Sequence, residues 1–257
     1  EQQWGDVTAG FWLKLARFAL LKLNSRKITA RNWRPLMLVF VRDIQDRLQL
    51  IKLANLFGHK HGILSISQLI LNEEEGYSKR DEVKQQMMQS LKKEKIDAFC
   101  EVNIASSVEQ GIFQTSKSHG IAGLKTNTVI FGWSEEQENQ VRQLISIRPL
   151  AKLRKNILIC RFKDTLPVEE GSQIDIWWGG RESNGDLMLL LAYLIRLNSG
   201  WEKASITIRS LVANPEEKEI LESGIREILP KARVKAKVEI LVKKNKEFLE
   251  VLNEHSK

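Results

Sequence analysis

The sequence predicts an α/β protein: two related, open, mostly parallel sheets with helices on both faces. Three observations predict it. Short apolar runs alternate with amphipathic segments along most of the chain, which is the pattern of successive βαβ units. At 257 residues, with 42% hydrophobic and 28% charged, the chain has a length at which one core tends to divide into two. A constant shift of 140 places Asp186 on Asp46, Leu190 on Leu50 and Ser205-Ile206 on Ser65-Ile66, keeping strand, cap, helix and strand in register. The hinge is expected near Leu153 to Lys155, giving a first subdomain at 1–153 and a smaller second one at 154–257.

In chain order, Asp6 or Thr8 caps a helix running through Leu23, with Phe11, Leu15, Phe18, Ala19 and Leu23 on a broad apolar face. Such a helix either covers a core or lies on a membrane surface, and covering the core is the expectation. Pro35 sets an extended entry into LMLVFV at 36–41, a continuous apolar strand of the kind covered on both faces. The turn at Asp43 to Asp46 leads into a helix with Leu50, Leu53, Ala54 and Phe57, stopped by Gly58. A strand at 63–71 follows, then Glu73, Glu74, Glu75 and Gly76 read as an exposed loop. A helix at 81–95, a strand at 98–105, a helix at 107–119, a strand at 127–133 and a helix at 135–147 complete the first subdomain. The second repeats the rhythm, with strands at 156–162, 174–178, 204–212 and 234–242 and helices at 186–197 and 216–229. The tail from Lys243 starts a further helix.

Composition narrows the function classes. Forty Lys+Arg against 32 Asp+Glu leave +8, a mild attraction toward lipid headgroups, nucleic acid or acidic protein. Cys100 and Cys160 sit in apolar runs without metal or disulfide spacing, which points to a reducing interior. No stretch is long and uncharged enough to cross a bilayer, which takes about 20 apolar residues. The chain begins at Glu1 without a signal sequence and reads as a piece of something longer.

Chemistry-bearing groups are sparse. His59 and His61 stand two apart in a turn, His119 and His255 lack neighbours of metal spacing, and no metal site is expected. Neither a nucleophile elbow nor a Walker loop occurs, so no catalytic residue is assigned and an enzyme is not expected. Lys231, Arg233, Lys235 and Lys237 alternate as on a strand with one solvated edge, and Lys243, Lys244 and Lys246 have no interleaved aromatics. Nucleic acid is therefore not the expected partner. Trp177-Trp178 read as core or interface anchors.

The stretch GIAGLKTNTVIFGW at 120–133 carries two glycines and Lys125 ahead of an apolar strand. The loop at 120–127 is expected beside the carboxyl end of the first strand, facing Arg42 and Asp43 across the crevice of an open sheet. Gly120-x-x-Gly123 with eight residues before Gly132 resembles the phosphate loop of universal stress proteins. It differs by one residue of spacing and by Trp133 in place of a hydroxyl residue.

Five blocks in order, LARFALLKL at 15–23, NWRP at 32–35, GLKTNTVIFGW at 123–133, IDIWW at 174–178 and DLMLLLAYLI at 186–195, resemble the cytoplasmic C-terminal domain of the cation-chloride cotransporters. The resemblance spans nearly the whole chain. It implies two universal-stress-like α/β halves, a homodimer, and regulation of a sodium, potassium and chloride symporter whose membrane part belongs to the same chain and moves the ions. It places the fragment at the cytoplasmic face of the cell membrane, and the short linkers resemble compact prokaryotic forms. Some potassium-chloride carriers hold ATP in the first half. The positions of this chain at matching places are Val41, Arg42, Gly123, Leu124, Lys125 and Asn127, which makes ATP or another adenine nucleotide an optional ligand. The competing reading is a free-standing nucleotide sensor of the universal stress type.

Overall fold

The computed structural model describes residues 7–25, 33–58, 61–71, 73–121, 124–162, 172–179, 182–232, 234–243 and 247–256. The chain divides into two units, Glu1–Thr165 and Leu166–Lys257.

The first unit opens with α1 (Val7–Asn24), β1 (Leu36–Val41), α2 (Leu48–Gly58), β2 (Ile63–Ile70), α3 (Glu73–Lys93) and β3 (Phe99–Ile104). It continues with α4 (Val108–Ser118), the two-residue strands β4 (Gly120–Ile121) and β5 (Leu124–Lys125), β6 (Thr128–Gly132), α5 (Gln137–Ile147), a 3₁₀ turn and β7 (Asn156–Cys160). Five strands form one sheet in the order β3-β2-β1-β6-β7, and every pairing in it is parallel. The middle strand is apolar throughout because both of its faces are covered: Met37, Leu38 and Val39 are at most 1% exposed. Right-handed crossovers put α2 and α3 on one face, where Leu50, Ile51, Ala54, Met87 and Leu91 are buried. On the other face α4, α5 and the 3₁₀ turn bury Ile112, Ile147 and Leu150 against Val129 and Phe131. Helix starts follow local capping chemistry: Asp43 Oδ1 accepts from the Gln45 amide ahead of α2 at 2.7 Å, and Ser107 Oγ accepts from Gln110 N at the start of α4 at 3.2 Å.

The second unit contains β8 (Gln173–Trp177), α6 (Glu182–Arg196), β9 (Ser205–Val212), α7 (Pro215–Ala232), β10 (Lys237–Val242) and α8 (Phe248–His255). Its parallel sheet runs β10-β9-β8, the same order as β3-β2-β1. The 140-residue shift thus has a counterpart in topology. Ile176, Trp178, Ile206, Ile208 and Ile240 pack with Leu189 and Ala192 of α6 and Ile225 of α7. On the opposite face Arg209 lies between Asp175, at 3.4 Å, and Glu239. Trp177 stacks edge-on with Phe248 at 5.6 Å and donates its indole N–H to Ser256 Oγ at 2.8 Å. The tryptophan pair therefore anchors two opposite faces.

Three expectations are corrected. The first is the boundary near 153–155: β7 pairs in parallel with β6 from Thr128↔Asn156 to Gly132↔Cys160, so this strand belongs to the first sheet. A parallel strand reached by the short α5 crossover extends the sheet it came from. The second is the acidic loop at 73–76, which forms the first turn of α3. Gly76 serves close packing rather than a turn, since a Cβ there would stand 2.9 Å from Ile104 Cγ1. The third is the helix expected to cover the core: along α1, Phe11, Trp12, Leu13 and Phe18 are each more than 60% exposed.

Candidate functional site

Between β1 and β6 the chain reverses the direction in which it builds the sheet, so α2 departs to one face and α4 and α5 to the other. Helices that diverge this way leave a crevice at the carboxyl ends of the strands. A cavity of about 600 Å³ lies there, lined by the ends of β1 (Phe40, Val41, Arg42), β2 (Leu69, Leu71) and β6 (Phe131, Gly132) and by side chains of α4 and α5. Its floor is apolar: the rings of Phe40 and Phe131 are stacked with centroids 5.7 Å apart and planes 10° from parallel. The rim is basic, with Arg42, Arg47 and Arg142 against Glu109. Arg142 is already paired with Glu138 at 2.7 Å on the surface, whereas Arg42 is exposed.

The segment leaving β6 is held from α5. Gln143 Nε2 donates to the Gly132 carbonyl at 2.8 Å, Gln140 Nε2 to the Ser134 carbonyl at 2.9 Å, and the Glu136 amide to Ser134 Oγ at 3.2 Å. Gln143 Oε1 is buried and has no hydrogen-bond partner among the described residues. At Gly132 a Cβ would come within 2.9 Å of Arg47 Nη1, so glycine lets the guanidinium lie across the strand end.

The sequence-derived site residues do not come together. Val41 and Arg42 line the crevice. Gly123 lies outside the described residues, and Leu124, Lys125 and Asn127 sit at the other end of the sheet. Asn127 meets the first residues of β1: its amide accepts from Leu36 N at 3.0 Å and donates to the Arg34 carbonyl at 2.7 Å. β1 has six residues, which at about 3.3 Å per residue separates the two ends by roughly 16 Å. The reason is topological. A loop that precedes a parallel strand lies at its amino end, and the loop that follows it, here 133–136, lies in the crevice. Arg47, Ser134, Asn139 and Gln143 were missed, and the strand-end rule applied to β6 is the signal that finds them.

The hairpin at the amino end has its own order. Gly120 has φ +134°, and a Cβ there would lie 2.4 Å from the Leu124 carbonyl oxygen. Lys155 Nζ donates to the Thr126 carbonyl; burial, then the charge of Lys125, pushes its pKa down. His119 contacts Thr126 Oγ1 through Nδ1 and Glu101 through Nε2 at 3.2 Å. The hydrogen bond from His119 holds the Glu101 carboxyl below its ordinary pKa.

Residues 47–168 match Solute carrier family 12. The family resemblance read from the sequence holds. The matched stretch runs from Arg47 through β7 and includes most of the crevice lining. Among solved structures, the chain is similar to the cytoplasmic domain of a prokaryotic cation chloride cotransporter, with TM-score 0.61 and 17% identity over 82% of this chain and 80% of that one. A functionally unknown protein from Pseudomonas aeruginosa PAO1 gives TM-score 0.51 and 16% identity over 86% and 78%. A putative universal stress protein from Pseudomonas aeruginosa UCBPP-PA14 gives 0.49 and 12% over the same shares. For the two with TM-scores above 0.5 the likeness, at these identities, is one of fold.

Proposed function

We propose that this chain is a cytosolic regulatory and dimerisation domain of a cation-chloride cotransporter. It transports no ion and catalyses no reaction itself; a membrane part of the same polypeptide carries sodium, potassium and chloride at the cell membrane. The observation that carries this reading is the coincidence of two matches. The family match falls on the crevice-bearing sheet, and the likeness to a cotransporter cytoplasmic domain extends over most of both chains. Regulation then works by population shift: a cytosolic signal that favours one of two arrangements of the dimer biases the membrane parts joined to it. Sedimentation velocity across a concentration series tests the dimer. A two-chain species at high concentration is expected, and a monomer throughout would overturn the scaffold.

A second reading rests on the crevice alone. An apolar floor beside an exposed arginine suits a planar base and an anionic group, and ATP or another adenine nucleotide has both. Calorimetry with ATP is expected to show binding that weakens on Arg42→Ala and is indifferent to Lys125→Ala. Loss on Lys125→Ala with none on Arg42→Ala would overturn this placement.

A further inference from the structure

Helix α1 is 18 residues long, and none of the described residues hides it: Trp12 is 62% exposed, Phe18 66% and Leu21 54%. At 100° per residue, Trp12, Leu15, Ala16, Ala19, Leu20 and Leu23 share an arc of about 140° that carries no charge. Lys14 and Arg17 fall on the opposite side, and Lys22 borders the arc beside Leu15. Among the described residues no helix is long and apolar enough to cross a membrane, so α1 is a helix for a surface.

Charge identifies which surface. Residues 7–42 hold eight Lys and Arg and no Asp or Glu. The chain has 40 basic and 32 acidic residues, so the remainder balances at 32 to 32 and the whole excess of +8 resides in this one stretch. A second copy of α1 would bring three cations against three cations with no carboxylate to meet them. A nucleic-acid backbone would leave the apolar arc in water. An anionic lipid surface satisfies both halves of the helix at once.

We propose that α1 seats on the anionic lipid surface of a membrane, lying in its plane. Sunk by about 5–10 Å into the boundary between headgroups and acyl chains, a helix about 10 Å across buries its uncharged arc and its flanks. The stems of Lys14, Arg17 and Lys22 then carry their charges back up to the phosphates. Phe11 and Phe18, between the cations, sit at headgroup depth. This assignment rests on the helix and on the charge of residues 7–42, and it stands whether or not the transporter reading does.

The test is co-sedimentation of the 257-residue chain with phosphatidylcholine vesicles, pure or containing phosphatidylserine. Retention is expected only with phosphatidylserine, falling as salt is raised. Each cation contributes roughly fivefold to affinity, so Lys14→Gln/Arg17→Gln/Lys22→Gln loses roughly a hundredfold. Trp12→Ser/Phe18→Ser loses binding at unchanged charge. All five side chains are exposed, and the expected circular dichroism spectrum of each variant is that of the unchanged chain. Equal retention by pure phosphatidylcholine, no retention by either vesicle, or an unchanged triple variant overturns the proposal. So does a triple variant that changes the sedimentation coefficient of a chain that binds no vesicles, since α1 would then be a protein contact.

Discussion

The carboxyl ends of the two sheets show how one strand order serves two ends. Both units lay three parallel strands side by side in the same sequence, β3-β2-β1 and β10-β9-β8. In the first, β6 joins the free edge of β1, the helices change face, and a crevice of about 600 Å³ opens. In the second, no further strand joins β8 among the described residues, and Trp178 at the end of β8 is 5% exposed. Its indole is packed so tightly on α6 that a Cβ at Gly185 would lie 2.1 Å from it. The second unit keeps only a smaller cavity of about 380 Å³ at this end, lined by Trp178, Val212 and side chains of α7, so the difference teaches that the wider opening goes with the reversal of strand order.

The contrast can be broken most strongly at Trp178. Trp178→Ala removes the side chain that closes the second unit and is expected to cost about 3–5 kcal/mol, read as an earlier loss of second-unit structure in urea. A cost under 1 kcal/mol would mean that the tryptophan is no core element. Next come the glycines that flank the two ends. Gly185→Ala drives a methyl into a rigid indole, and overpacking of about 1–3 kcal/mol outweighs the ~0.5–1 kcal/mol that a helix gains from losing glycine. Gly132→Ala meets only the tip of Arg47, which swings away at small cost. Equal losses at the two positions would erase the distinction between a filled end and an open one.

At the amino end of the first sheet, Asn127→Ala leaves the Leu36 amide and the Arg34 carbonyl without partners. The expected cost is about 1–3 kcal/mol, with no change in any ligand held at Arg42. The smallest effect concerns Glu101. Its folded-state pKa is depressed, chiefly by the hydrogen bond with His119. The stability it adds is therefore present above its ordinary pKa of 4.5 and is lost as pH falls through the folded value. Glu101→Gln is expected to flatten this acid limb of a thermal-melting series, and an unchanged limb would remove the pair from the account.

Much of this contrast was legible before the structure. The continuous apolar run at 36–41, the turn at Asp43 to Asp46 and the Gly58 stop each announce their element through local chemistry, and the boundaries of β1 and α2 fall within a residue or two. What escaped is whatever depends on which strand pairs with which. Nothing within residues 156–160 says that they continue the first sheet, because the same apolar pentapeptide would serve either unit. Gly76 looked like a turn because the contact that demands it, Ile104, lies 28 residues away. The site was half legible for the same reason: Val41 and Arg42 follow from strand ends, whereas placing 120–127 required knowing which end of β6 it enters.

The Asn127 junction also bears on how the chain is made. Its hydrogen bonds to Leu36 and Arg34 close loops of 91 and 93 residues, among the slowest kinds of contact to form. During synthesis β1, β2 and β3 emerge and pair first, leaving the most apolar strand of the molecule with one edge bare until β6 arrives. The central strand, the first to be made, is thus enclosed only after β2 and β3 are in place and β6 has arrived. That interval is when a nascent chain of this topology is most exposed to strand-edge association.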